Sequence, residues 1–173
     1  LYSCSNYLLY CEKFTLLMRL CYNEKRKIHI EEIKIHLDQM LEFYKDSFAG
    51  YINNQNDNGY TALTMTLYFN PASSYEITKL LLEYGADPNL EGFGGYTALM
   101  YTIRKDLSSS SVKTIKLLLE HGANPNLKNN YNNKSVLAQV VERKNCEKVI
   151  KIVKILLKYG ADPNSQCRNG KTI

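Results

Sequence analysis

Three stretches of the chain place apolar residues at helical intervals and then stop abruptly. Ile77, Leu80 and Leu81 form the first set, Ile115, Leu117 and Leu118 the second, and Val149, Ile152, Val153, Leu156 and Leu157 the third. This spacing collects the apolar side chains on one face and predicts an amphipathic helix in each place. Each set is followed by Gly85, Gly122 or Gly160, and three residues later by Pro88, Pro125 or Pro163. Glycine accepts the left-handed conformation that closes a helix, and proline prevents its continuation. Upstream of each set a shorter apolar run opens on a hydroxyl: Thr61 in NGYTALTM, Thr97 in GGYTALMY and Ser135 in NNKSVLAQ. A hydroxyl there accepts a hydrogen bond from an orphan amide of the first turn, so a helix is predicted to start at each and to run to about Phe69, Lys105 or Arg143. Gly59 and Gly95 precede two of these starts in a turn expected to need positive φ, and the third has Asn133, the next most tolerant residue.

The two helices recur as one unit. LLLEYGADPNL (80–90) returns as LLLEHGANPNL (117–127) and as ILLKYGADPNS (155–165), with closing glycines 37 and 38 residues apart. A helix, turn, helix and extended hairpin loop cannot bury its apolar stripe alone, whereas stacked neighbours can, so the pattern points to an all-α solenoid. At these residues the chain resembles the ankyrin-repeat family. The resemblance rests on GYTAL…LLLEYGADPNL, GYTAL…LLLEHGANPNL and SVL…ILLKYGADPNS and covers residues 56 to 173. TALT and TALM replace the proline and histidine of the family's helix start, and the period exceeds the family's ~33 residues. Most of the excess falls between the helices, at 70–75, 106–111 and 145–151. The spacing and the Asn/Tyr/Lys-rich wording look most like repeats of giant DNA viruses of the mimivirus type, with poxviruses as second choice.

On this reading residues 1–55 are a degenerate capping repeat, followed by repeats at 56–90, 91–128 and 129–165 and by the opening of a further repeat at 166–173. In the first unit Asn6 to Tyr22 is expected as the inner helix, 23–29 as the connecting turn and Glu31 to Phe48 as the outer helix. FAGYINNQNDNGYTAL (48–63) aligns with YGADPNLEGFGGYTAL (84–99) and sets Gly50 one step from Gly85. The alternative is a separate helical hairpin of a preceding domain. A start at Leu1 and a stop within CRNGKTI read as cuts in a longer protein.

Composition removes most chemistry from consideration. The most apolar N-terminal stretch carries Glu12, Lys13 and Arg19, so it reads neither as a membrane span nor as a signal peptide, and a cytoplasmic chain is expected. Cys4, Cys11, Cys21, Cys146 and Cys167 contain no Cys-x-x-Cys pair, and His29, His36 and His121 show no ligand spacing; free thiols and no metal are expected. No nucleophile elbow, P-loop or dinucleotide fingerprint occurs. GFGG at 92–95 lacks the Gly-Lys-Ser/Thr of a phosphate loop and reads as a hairpin tip. We therefore expect no cofactor, no catalytic residue and no enzyme. Abundant Asn, Lys, Ile and Tyr with no Trp is the mark of an A+T-rich coding sequence.

The net charge of +5 is unevenly placed, since residues 128–173 carry 10 basic against 3 acidic side chains. On the last outer helix Lys144, Lys148, Lys151, Lys154 and Lys158 fall within an arc of ~120°. A solvated face is the preferred reading; contact with nucleic acid or anionic lipid is the alternative, weakened by the absence of interleaved aromatics.

The family resemblance implies partner binding through a concave surface of hairpin tips and inner helices. By motif position the first full repeat offers Asp57, Asn58, Met65, Tyr68 and Phe69. The second offers Phe93, Tyr101, Arg104 and Lys105, and the third Tyr131, Asn132, Gln139, Glu142 and Arg143. Tyr and Arg are frequent hot spots, which favours Tyr68, Tyr101 and Arg104, although Phe69 and Tyr101 could instead be packing residues. The expected partner is another protein, host or viral, bound by a monomer. Alternatives are a targeting arm of an enzyme or ubiquitin-ligase adaptor whose working domain lies outside this chain, and nucleic-acid binding through the lysine face. The resemblance also implies that Asn89, Asn126 and Asn164 fill the hairpin slot open to hydroxylation in the family; their default role is to bond hairpin backbone.

Overall fold

The computed structural model describes residues 16–22, 30–69, 74–105, 109–143 and 147–165. The expected helix at 6–15, the turn at 23–29, residues 70–73, 106–108 and 145–146 of the excess between later helices and the repeat opening at 166–173 lie outside the described residues. The chain runs through α1 (Leu16–Tyr22), α2 (Ile30–Tyr44), a 3-10 turn (Lys45–Ser47), α3 (Phe48–Ile52), α4 (Ala62–Phe69), α5 (Ser74–Glu83), a 3-10 turn (Phe93–Gly95), α6 (Ala98–Lys105), α7 (Ser109–Glu120), α8 (Val136–Val141) and α9 (Glu147–Lys158). Inner helices α1, α4, α6 and α8 stack in order, as do outer helices α2, α5, α7 and α9, and each inner helix packs on its own outer partner. Among the described residues one core runs through the whole stack, from Leu17 to Ala161.

The repeated text specifies how each outer helix ends. The amide of Ala86 donates to Leu81 O at 3.0 Å and that of Gly85 to Leu82 O at 3.0 Å; Ala123 and Gly122 do the same to Leu118 and Leu119, and Ala161 and Gly160 to Leu156 and Leu157. With φ of 88°, 83° and 82°, the three glycines adopt the left-handed closing conformation, and the following alanine is buried. Asp87, Asn124 and Asp162 then accept from the amides of Asn89, Asn126 and Asn164, folding the chain over the proline.

The hairpin asparagines tie one repeat to the next. Asn89 accepts from Asn124 N at 2.7 Å through Oδ1 and donates to Gly122 O at 3.0 Å through Nδ2. Asn126 repeats both bonds to Asp162 N and Gly160 O, and Asn53 makes them to Asp87 N and Gly85 O. Their bonds thus go to the neighbouring hairpin's backbone.

Two local expectations are corrected. The outer helix of the first pair ends at Tyr44, before Phe48, and Gly50 sits inside α3. Where later repeats have Gly-Ala-Asp/Asn-Pro this stretch has Ala49-Gly50-Tyr51-Ile52, and burial of Phe48 and Ile52, four residues apart, holds it as a helical turn. Asn53 nevertheless occupies the place of Asn89. The helix-start hydroxyls also differ. Thr61 Oγ1 accepts from Thr64 N while Thr64 Oγ1 accepts from Thr61 N, and Ser135 accepts from Ala138 N. Thr97 Oγ1, by contrast, is buried without a partner.

Asn89→Ala removes two bonds between repeats and should cost roughly 1–3 kcal/mol, seen as a lower urea midpoint by circular dichroism, against ~0.5 kcal/mol or less for exposed Asn54→Ala. Equal midpoints for the two variants would show that the asparagine ladder contributes no stability.

Candidate protein-binding surface

Helix α4 lies between α1 and α6 and packs on α5, so every residue from Ala62 to Leu67 is buried. Only its last two residues, Tyr68 and Phe69, emerge half-exposed at the inner edge. Around them the chain builds an aromatic cluster. Tyr68 stacks on Tyr60 at 5.7 Å and meets Tyr101 edge-on at 5.4 Å and Phe69 edge-on at 4.6 Å, while Tyr96 lies 5.5 Å from Tyr101. The Arg104 guanidinium sits over the rings of Tyr68 and Tyr96, at 5.8 and 5.2 Å from their centres. Cation and ring attract through the ring's negative face, which holds the exposed arginine above the cluster. Arg104 has no carboxylate within 4 Å among the described residues.

The hairpin tips follow one rule in the first and third full repeats and another in the middle one. Asn56 Oδ1 accepts from the amides of Asn58 and Tyr60, and Asn129 Oδ1 from those of Tyr131 and Asn132. Gly92 stands at the matching place of the middle repeat, where an added Cβ would lie 2.9 Å from Tyr101 Oη. The missing side chain leaves room for Tyr101, whose hydroxyl donates to Phe93 O at 3.1 Å. Successive tips touch: Asn130 N donates to Gly94 O, and a Cβ on Gly95 would come within 2.7 Å of Asn130 N. Phe93 and Tyr131 project from this row, 66% and 77% exposed.

Two of the offered positions, one of them the favoured Tyr101, are corrected by these placements. Met65 is 0% and Tyr101 1% exposed, so neither offers surface. Both follow the helix start by one turn and point into the stack, a direction fixed by the neighbouring inner helices and invisible in a single repeat. Phe93, Tyr131, Arg104 and Asp57 are exposed, Tyr68 and Phe69 half so. Asn58, Asn132 and Gln139 are half-buried and engaged in their own turns, Gln139 through a bond to Lys134 O. Glu142 is exposed and paired with Lys134. Arg143 donates to Ile103 O and, at 2.7 Å, to Arg104 O, so it closes the end of α6. Lys105 ends α6; its side chain lies outside the described residues. Tyr96 was not among the expected residues because it belongs to the recurring GYTAL text, yet its half-exposed ring carries Arg104.

Among the described residues no group of His, Cys, Asp or Glu could hold a metal ion, and no helix is long and apolar enough to cross a membrane. Cys21 is buried, its thiol pushed up to about 12 by burial and only partly brought back by a hydrogen bond to Thr66. His121, in the slot of Tyr84 and Tyr159, bonds Leu117 O through Nδ1, a local closure of its helix end.

A family model for ankyrin repeats in three copies matches residues 36–130 and again 72–167. The chain belongs to the ankyrin-repeat family. One ankyrin repeat protein of Acanthamoeba polyphaga mimivirus is 36% identical over 104 residues, 60% of this chain and 17% of that protein. A second from the same virus is 41% identical over 93 residues, 51% of this chain and 14% of that protein. The matched stretch thus spans under a fifth of either relative. Ankyrin repeats generally act as protein–protein interaction modules without catalytic activity.

Gly95→Ala combines positive φ with a clash against Asn130 and should destabilise by roughly 2–3 kcal/mol, whereas Gly94→Ala, also at positive φ with its Cβ 3.5 Å from Tyr96, should cost less. Urea titration of the two variants decides it, and equal losses would place the whole effect in φ. Stability should also fall at alkaline pH. Tyr84 is raised from 10.0 to about 12 by its bond to Asp38, then burial, and Tyr51 to about 12 by burial, then Tyr44 and Cys21. Burial, then Tyr60, raises Tyr101 as well. Raised phenol values favour the folded state fully below pH 10 and lose that contribution as pH climbs through 12. With the thiol of Cys21, raised from 9.0 to about 12, acting in the same sense, the melting temperature should be flat below about pH 9 and drop between about 9 and 12; a constant value across that window would contradict the assignment.

Proposed function

We propose that this chain captures a protein, of host or viral origin, on its concave surface, and that Arg104, Tyr68, Tyr96, Phe69, Phe93 and Tyr131 form the contact. The observation that carries the reading is Arg104, held over two rings with no carboxylate partner among the described residues. An exposed arginine already held on aromatics becomes a strong anchor once a partner covers it, and a partner carboxylate or backbone carbonyl would complete its bonding. Phe93 and Tyr131 add apolar area at the tips, and Asp57 and Glu142 belong to the polar rim. Met65 and Tyr101 support the surface from beneath. Residues 1–55 serve as the unit that seals one end of the stack, and the module acts as a monomer in the host cytoplasm. The relatives exceed the matched stretch about six- to sevenfold, which favours the same surface as a targeting arm for an activity elsewhere in a longer protein.

The test is capture from host-cell lysate with mass spectrometry, comparing the chain with Tyr68→Ala/Arg104→Ala/Phe93→Ala and with the convex-face variant Lys154→Glu, each checked for helicity. A protein retained by the chain and by Lys154→Glu but lost from the triple variant is expected. For the identified protein the triple variant should weaken binding by about 3 kcal/mol or more in titration calorimetry. Equal retention by all three moves the binding surface away from the concave face.

A further inference from the structure

The convex side carries a second feature. Outer helices α7 and α9 lie side by side and leave a groove of about 330 Å³, lined by Val112 and Lys113 on one side and by Glu147, Lys148 and Lys151 on the other. Three lysines and one glutamate thus line it. Lys79 and Lys116, by contrast, each pair with the glutamate one turn on, Glu83 at 3.8 Å and Glu120 at 3.3 Å. Lys113, Lys148 and Lys151 form no ion pair within 4 Å with any described residue, and Glu147 closes none with Lys151 despite standing one turn before it. The positions one turn after these lysines, Leu117, Ile152 and Ile155, provide no partner either. Like charges gathered on neighbouring turns repel, a cost that a multivalent anion in the groove would remove.

The positive region is also bounded. The outer helices before α7 carry an excess of acid, with Glu76, Lys79 and Glu83 on α5 and Glu31, Glu32, Lys34, Asp38 and Glu42 on α2. A long nucleic acid laid across the convex side would meet these carboxylates, whereas a compact ligand would not. The groove volume falls at the lower end of small-molecule sites, roughly 300–1,000 Å³. We propose that the α7–α9 groove binds a small anion carrying several phosphate groups, with Lys113 neutralising it from one side and Lys148 and Lys151 from the other. Such an anion is either free in solution or the headgroup of a phosphorylated lipid. The site lies away from the concave surface, so the two readings stand or fall separately.

The test uses inorganic tripolyphosphate as probe, followed by amide NMR and calorimetry on the whole chain. Saturable shifts are expected within Val112–Lys116 and Glu147–Lys151. Lys113→Glu/Lys148→Glu should weaken binding at least about tenfold, while Lys154→Glu/Lys158→Glu, outside the groove, should stay within about twofold. Helicity is checked for both, and Lys113→Gln/Lys148→Gln replaces the first variant if that one does not fold. Phosphatidylcholine vesicles with a minor share of phosphatidylinositol bisphosphate separate the sources: retention lost in the groove variant assigns a headgroup, and lack of retention beside tripolyphosphate binding assigns a free anion. The proposal is overturned by absent saturable binding, by equal weakening in the two charge-reversal variants, or by tighter binding to oligothymidylate that grows with its length.

Discussion

Among the described residues the short inner helices could not hold alone. α8 has six residues and α4 and α6 eight each, well below the length at which an isolated helix persists in water. Packing between units therefore supplies what local propensity does not, and the sequence is written to make that packing possible. α4 shows it most clearly, since it has no solvated face over Ala62–Leu67 and still contains Thr64 and Thr66. Both hydroxyls bond back to carbonyls of their own helix, Thr61 O and Ala62 O, so two polar residues sit inside the stack without unmet donors.

The same dependence divides the surface into parts with different freedom. Side chains between helices are fixed by their neighbours, as the Gly92–Tyr101 exchange shows, where one repeat deletes a side chain at the tip to admit a ring from the helix. The exposed and half-exposed positions at the hairpin tips and at the ends of the inner helices vary among copies: Asp57, Phe93 and Tyr131 at or near the tips; Tyr68, Arg104 and Glu142 at the ends. Binding information can accumulate there without disturbing the stack. The outer lysines of α9 vary under equally weak constraint.

The architecture was legible because each residue of YGADPNL has a local task. Gly85 needs positive φ, Pro88 blocks continuation and Asp87 turns the chain, and all three tasks can be read within a few residues. Positions whose role depends on a neighbour were not legible. Met65 and Tyr101 looked exposed because motif position alone cannot tell the concave face from the seam between inner helices. Arg143 looked available, yet it closes the end of a helix some forty residues earlier. Gly50 aligned one step from the closing Gly85, but the burial of Phe48 and Ile52 decided the local conformation. Asn89 was legible as a backbone-bonding residue, but that its bonds go forward to the next hairpin follows only from the stacked geometry.

The asparagine ladder has a mechanical side. Asn53, Asn89 and Asn126 each grip only the hairpin that follows, so no rung shares its hydrogen bonds with a rung two steps away. A pull applied along the chain from either end loads these rungs in sequence. The stack would then lengthen in discrete steps of one repeat, with the unstretched remainder still bearing its binding surface.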